Sequence, residues 1–265
     1  MITISIDPII FSIGHFMLRW YSLILVIAVG IGLWLTGLEA ERKGLNKTEI
    51  YDAAIWIMLA GLLGARLFHV IDHWSHEYVT DPIRALYIWE GGLAIWGAII
   101  GGLIAVVVIA GKRRWKLPRV LDAFVPGVVL AQAIGRVACI ITGDAMGPPT
   151  AGPFGIAYTN PNAMVPQLGV FYTPMPVYEI IANMGIFALV WSLGRRKLAD
   201  GNLFLIYVTL YSFERFLLGY TSAYMPVAYG LNQSQLIALG LLVVVAVFLA
   251  FRAVTGAKVK PLSAR

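Results

Sequence analysis

Seven apolar stretches, each close to twenty residues long, leave this chain few ways to fold; they run roughly over 17–38, 50–71, 91–111, 120–141, 174–194, 202–220 and 235–252. A hydrocarbon core about 30 Å thick takes some twenty helical residues to cross. A composition that is 59% hydrophobic and 13% charged, with a mean hydropathy of +0.79, points the same way, because soluble domains carry far more charge. The reading is an all-α integral membrane protein of seven transmembrane helices, forming one domain over residues 1–265.

The basic residues orient those spans. Of 20 Lys and Arg, fifteen lie in four clusters: Arg42, Lys43 and Lys47; Lys112, Arg113, Arg114, Lys116 and Arg119; Arg195, Arg196 and Lys197; Arg252, Lys258, Lys260 and Arg265. Each cluster follows an odd-numbered span, so the positive-inside bias predicts an N-terminus outside and a C-terminus in the cytoplasm. No Lys or Arg precedes Arg19, so the first span lacks the basic start of a cleaved signal peptide and is expected to be retained. The clusters also account for the net charge of +6 and the pI near 9.5, which leaves no need for a nucleic-acid partner. A single cysteine, Cys139, excludes an intramolecular disulfide and a cysteine-built metal cage.

Between the spans, residues 1–16 are too short and broken to cross a bilayer and are expected to lie along the outer interface. The connection over about 142–173 contains no Lys, Arg or Glu and is dense in Pro and Gly. Loops of that length are commonly binding elements, and this one is expected to form a cap on the outer face. Small residues recur four apart in the second span (Ala60 and Gly64, Gly61 and Ala65) and in the third (Gly97 and Gly101, Ala98 and Gly102), as in close helix seams. Asn232 followed by Gln235 has the form of a capping pair before the seventh span.

The remaining five basic residues are all arginines: Arg19, Arg66, Arg84, Arg136 and Arg215. An ionised arginine inside a span costs from about 3 to over 10 kcal/mol, so its presence demands a partner or a polar cavity. Alternating topology predicts that Arg66, Arg136 and Arg215 converge near the outer face, with Asp144, Glu179 and Glu214 as available counter-ions. Guanidinium forks onto phosphate through parallel hydrogen bonds and stays charged when dehydrated, so the implied ligand is an anionic lipid headgroup. Tyr21 is placed to hydrogen-bond a lipid ester, while Trp20, Trp89, Trp96, Tyr178, Tyr211 and Tyr220 suit an interfacial belt.

His69, Asp72, His73 and His76 recur at helical spacing, and the run from His69 to His73 has the form of a metal-binding pattern with Asp where Glu is usual. Without a third strong ligand in the sequence, the favoured reading is a set of interfacial histidines, with no metal and no cofactor expected. His69 remains available as an acid or base.

An ordered set of motifs resembles one family: Trp20-Tyr21, Gly64-Ala65-Arg66, Trp89-Glu90-Gly91-Gly92, Gly135-Arg136 followed by Gly143-Asp144 and Gly147, Pro174 to Glu179, and Tyr211-Ser212 ahead of Arg215. Together they look like bacterial prolipoprotein diacylglyceryl transferase over nearly the whole chain. The resemblance implies transfer of diacylglycerol from phosphatidylglycerol to the lipobox cysteine in the signal peptide of a preprolipoprotein, with release of glycerol phosphate, at the outer face of the bacterial cytoplasmic membrane. It implies that Arg136 and Arg215 are the essential arginines, with Tyr21 and Gly147 in the site. Candidate catalytic residues are thus Arg136, Arg215, Tyr21, Asp144 and His69; candidate lipid contacts add Arg66, Gly91, Gly92, Trp96, Gly147, Tyr178, Glu179 and Tyr211. The chain departs from the resembled pattern at Trp96, where a histidine proposed as base is common, and at Cys139 and Thr142, commonly asparagines. Gly219 stands for a frequent glutamate, and Asp144 keeps a carboxylate where glutamate is commoner. These departures leave a non-catalytic anionic-lipid-binding or transport protein as the alternative.

Overall fold

The computed structural model describes residues 1–14, 16–88 and 91–254. Trp89 and Glu90 of the third-span motif, and Lys258, Lys260 and Arg265 of the last basic cluster, lie outside the described residues. Seven helices among the described residues are long and apolar enough to cross a membrane. They are α1 (Trp20–Arg42), α2 (Lys47–Asp72), α3 (Ile95–Lys112), α4 (Leu117–Thr142), α5 (Met175–Gly194), α6 (Asn202–Leu218) and α7 (Gln233–Val254). The chain is a multi-pass membrane protein.

Two boundaries differ from those expected of an apolar run, each for a local reason. Gly91 and Gly92 adopt positive φ (89° and 70°), which only glycine enters without strain, and the chain stays extended to Ala94, so α3 starts at Ile95 rather than near 91. At the N-terminus, residues expected to skirt the interface form strands. These are β1 (Ile2–Ile4), β2 (Ile9–Ile13) and β3 (Phe16–Arg19), the last two an antiparallel pair, and α1 begins only where β3 ends.

Contacts divide the chain into two compact units, one of Gly37–Ala123 and one of Met1–Thr36 together with the chain from Phe124 onward. In the first, α2 and α3 lie backbone to backbone. A methyl group on Gly64 would strike the Gly97 carbonyl and come within 3.2 Å of Gly101 Cα, and one on Gly97 would strike the Gly64 carbonyl. Glycine is thus what lets these two helices approach closely without a hydrophobic drive between them. At the other end of this unit Asn46 caps α2 by accepting from the Thr48 and Glu49 amides at 2.9 and 3.3 Å. Lys43 there reaches the buried Asp122 at 3.5 Å, and Arg113 donates to the Glu49 carbonyl at 3.0 Å.

In the second unit α1 meets α4 through Gly32 and Gly127. Val125 and Val129 of α4 pack with Ile186 and Val190 of α5 and Leu203 of α6. Asn232 and Gln235 form a reciprocal capping box, each side-chain oxygen accepting the other's amide at 3.0 Å. The 142–173 segment has a small core of its own, Met146, Ile156, Tyr158 and Tyr172. Its strand β4 (Ile156–Tyr158) is joined in parallel by β1, with Ile2 opposite Ile156. Tyr158 ties this segment to α4, its hydroxyl donating to the Ile140 carbonyl at 2.6 Å; burial pushes its phenol up from the usual range, so it stays a donor. The hairpin strands β5 (Pro226–Ala228) and β6 (Leu231–Asn232) lead into α7.

Candidate functional site

Glu179 sits one turn into α5 and is 1% exposed. An apolar helix carrying a bare carboxylate there would be strongly disfavoured, and two arginines answer it. Its Oε1 accepts from Arg215 Nη1 of α6, and its Oε2 pairs with Arg136 Nε of α4. One carboxylate therefore draws two cations from two other helices onto one point, and the trio keeps a net charge of +1. Each guanidinium has five N–H donors and Glu179 occupies one edge of each, which leaves donors for an anion. The arginine side chains are 27% and 16% exposed, so the surplus charge is reachable.

Around this trio the same unit gathers most of the residues named from sequence. Tyr21, second residue of α1 and 39% exposed, lies within electrostatic reach of Arg136, Cys139 and Asp144. Cys139 is buried one turn beyond Arg136, whose Nη1 is 3.8 Å from its sulfur. Asp144 leaves the end of α4 in a turn with two left-handed residues, Gly143 (φ 78°) and Ala145 (φ 56°), and is half-buried. Gly147 donates its amide to the Thr173 carbonyl at 2.9 Å, and any side chain there would strike the Thr221 carbonyl. Tyr178 adjoins Glu179 and is half-buried, and Tyr211, one turn before Arg215, stacks on Tyr207 at 5.7 Å.

A further group, named from sequence only as an available counter-ion, takes on a different character in three dimensions. Glu214 is 7% exposed and neither of its oxygens has a hydrogen-bond partner among the described residues, although Arg136 is within electrostatic reach. The Ser212 hydroxyl and the Asn183 amide oxygen are likewise buried without partners. Buried polar atoms left bare cost roughly 1–3 kcal/mol each, so these groups of α5 and α6 call for water or a polar ligand as partner. In the sequence Glu214 shows only as a second acid beside Arg215, with nothing to say that Glu179 has already taken that arginine.

The remaining candidates belong to the unit of Gly37–Ala123. Arg66 is 7% exposed, and loop carbonyls surround its guanidinium: Arg84 at 2.5 Å, Ala85 at 2.9 Å, Gly91 at 2.7 Å and Gly92 at 3.2 Å. It clamps the connection between α2 and α3, and the positive φ of Gly91 and Gly92 is what turns two successive carbonyls toward it. His69 stacks on His73 with ring centroids 4.1 Å apart, and its Nε2 is 3.8 Å from the Glu77 carboxylate. Trp96, half-buried, is the second residue of α3.

Seven spanning helices and a cationic, solvent-reachable trio define a membrane protein with a site suited in charge to an anionic group. The family model of prolipoprotein diacylglyceryl transferase matches residues 8–251. A phosphatidylglycerol–prolipoprotein diacylglyceryl transferase of Dehalococcoides mccartyi is 33% identical over 253 residues, covering 95% of this chain and 96% of that one. Proteins of the same name from Trichormus variabilis and Halalkalibacterium halodurans are 35% and 33% identical, covering 80% of this chain and 77% and 74% of theirs. The chain belongs to the prolipoprotein diacylglyceryl transferase family.

Proposed function

We propose that this protein transfers the diacylglyceryl group of phosphatidylglycerol to the cysteine thiol of a prolipoprotein. The observation that carries the reading is the shared carboxylate: Glu179 holds Arg136 and Arg215 side by side, and the three together carry one net positive charge. The family membership and the names of the relatives support the same substrates.

The acceptor thiol loses its proton, its sulfur forms a bond to the glycerol carbon of the lipid, and the carbon–oxygen bond to phosphate breaks. Glycerol phosphate departs with the electron pair. Charge therefore builds on the phosphate oxygens as the bond breaks, which is where paired guanidiniums do most good; preorganised donors to a developing anion are commonly worth about 3–4 kcal/mol. Tyr21 is assigned to the lipid ester, and Gly147, Tyr178 and Tyr211 to the walls of the lipid site. Asp144 is the assigned acceptor for the thiol proton, and Glu214 joins it. The acceptor is the lipobox cysteine of a signal peptide, the site faces outward from the bacterial cytoplasmic membrane, and the 142–173 segment caps it.

The test is direct. Purified protein is incubated with phosphatidylglycerol and a lipobox peptide, and the expected product is a peptide heavier by one diacylglyceryl group in the mass spectrum, with glycerol phosphate released in equal amount. Saturable binding of phosphatidylglycerol without any adduct would return the non-catalytic lipid-binding reading.

A further inference from the structure

His69, His73 and Glu77 stand on three successive turns of one helix end. The His73 amide donates to the His69 carbonyl at 3.0 Å and the Glu77 amide to the His73 carbonyl at 3.0 Å, so the rungs of the backbone ladder run straight through these residues. Side chains four apart on a helix share a face, which puts two imidazoles and a carboxylate in a row. One donor atom from each lies within 4.8 Å of the others. The spacing of the two histidines is legible in the sequence, but the third ligand is not. Glu77 falls beyond the end of α2, in a π-helical turn over Trp74–Tyr78, and only the continued backbone bonds keep it on the histidine face.

We propose that His69, His73 and Glu77 form a three-ligand site for a divalent transition-metal ion of the zinc class. Two histidines and a glutamate are a donor set zinc takes in tetrahedral coordination with one position left open. Bond lengths of about 2.0–2.2 Å place the donors of such an ion some 3.4 Å apart. The His69 Nε2 to Glu77 Oε2 distance of 3.8 Å is already near that, and rotation about the side-chain torsions closes the rest.

The hydrogen bonds behind the cluster support the assignment. His73 Nδ1 is 3.1 Å from the His69 carbonyl and 3.5 Å from the Asp72 carboxylate. Both are acceptors, so they hold the proton on Nδ1 and leave the Nε2 lone pair for a metal, an arrangement found behind most metal-bound histidines. His69 and Glu77 also line a pocket of about 70 Å³ with Arg66, Tyr78 and Gly92, room for the water that would complete the coordination. Arg66 and Arg84 both line this pocket, with charge that opposes a metal. The Arg66 guanidinium is solvated by four loop carbonyls, and Glu77 and Asp72 bring two negative charges to the cluster.

The experiment uses the full-length protein in detergent, stripped with a chelator and titrated with cobalt(II) as the spectroscopic stand-in for zinc. The expected result is one ion per chain with the strong visible absorption of four-coordinate cobalt. His69→Gln and His73→Gln should each weaken binding by about a hundredfold, and Asp72→Asn by about tenfold, the effect of losing an outer hydrogen bond. Replacing the chain's other two histidines, His15→Gln with His76→Gln, should leave affinity unchanged. Glu77→Cys should keep binding and add a thiolate-to-cobalt charge-transfer band, a gain of signal that does not depend on a weakened variant folding correctly. No saturable binding to the wild type, an affinity unchanged by His73→Gln, or a Glu77→Cys protein without the new band would each overturn the site.

Discussion

Removing the charge of Glu179 is the sharpest single perturbation available, because it strands two guanidiniums that now share it. Glu179→Gln should destabilise the protein by about 3–5 kcal/mol, as breaking a buried ion pair from one side does, read as a lower unfolding temperature in detergent. An unchanged unfolding temperature would mean that the arginines find other acceptors. The proton acceptor is separable by pH. Transfer measured from about pH 5.5 to 9 should lose one limb of its pH–rate profile in whichever of Asp144→Asn and Glu214→Gln removes the base. Trp96→His should change the rate only modestly; a rate beyond any the wild type reaches would show that this chain lacks an effective route of thiol activation. At this scale the sequence exposes the arginines and Glu179, since charge in an apolar run is conspicuous. It does not reveal that one acid serves two arginines while its neighbour in chemistry, Glu214, has no hydrogen-bond partner among the described residues, because residues 136, 179 and 215 meet only through the packing of three helices.

Among the elements, hydrophobic length alone locates all seven helices, and the ends are where it fails. A run of apolar residues cannot tell that Gly91 and Gly92 turn the chain before α3, nor that Ile2–Ile4 pairs with Ile156–Tyr158, a partnership across some 150 residues that leaves no local periodicity. The glycine stripes divide in the same way: both have the same spacing, but Gly64, Gly97 and Gly101 form the contact, while a methyl on Gly102 would meet only Ile57 Cγ2 at 3.8 Å. Gly97→Ala should therefore destabilise the unit of Gly37–Ala123 by about 1–3 kcal/mol, the usual cost of overpacking, and Gly102→Ala should be neutral. Thermal unfolding of the two variants side by side checks this, and equal unfolding temperatures would count against the seam.

For the molecule as a whole, four basic clusters after odd-numbered spans predict a cytoplasmic C-terminus. Alkaline phosphatase fused after Lys260 should be inactive; strong activity there would invert the topology and turn the arginine trio toward the cytoplasm. Charge bias along the chain carries this information because it is a property of loops and not of packing, whereas the division into two compact units arises from contacts that no span advertises. The account rests above all on Arg136 and Arg215 acting together as a planar, doubly donating clamp on the lipid phosphate. The measurement that tests it most directly is diacylglyceryl transfer to a lipobox peptide by Arg136→Lys and Arg215→Lys, each checked for membrane insertion and for the wild-type unfolding temperature. Lysine keeps the charge and loses the fork, so each variant should fall at least about a hundredfold, the scale of one lost donor to a developing anion; near-normal transfer by both would reduce these arginines to counter-ions of Glu179 and contradict the assignment.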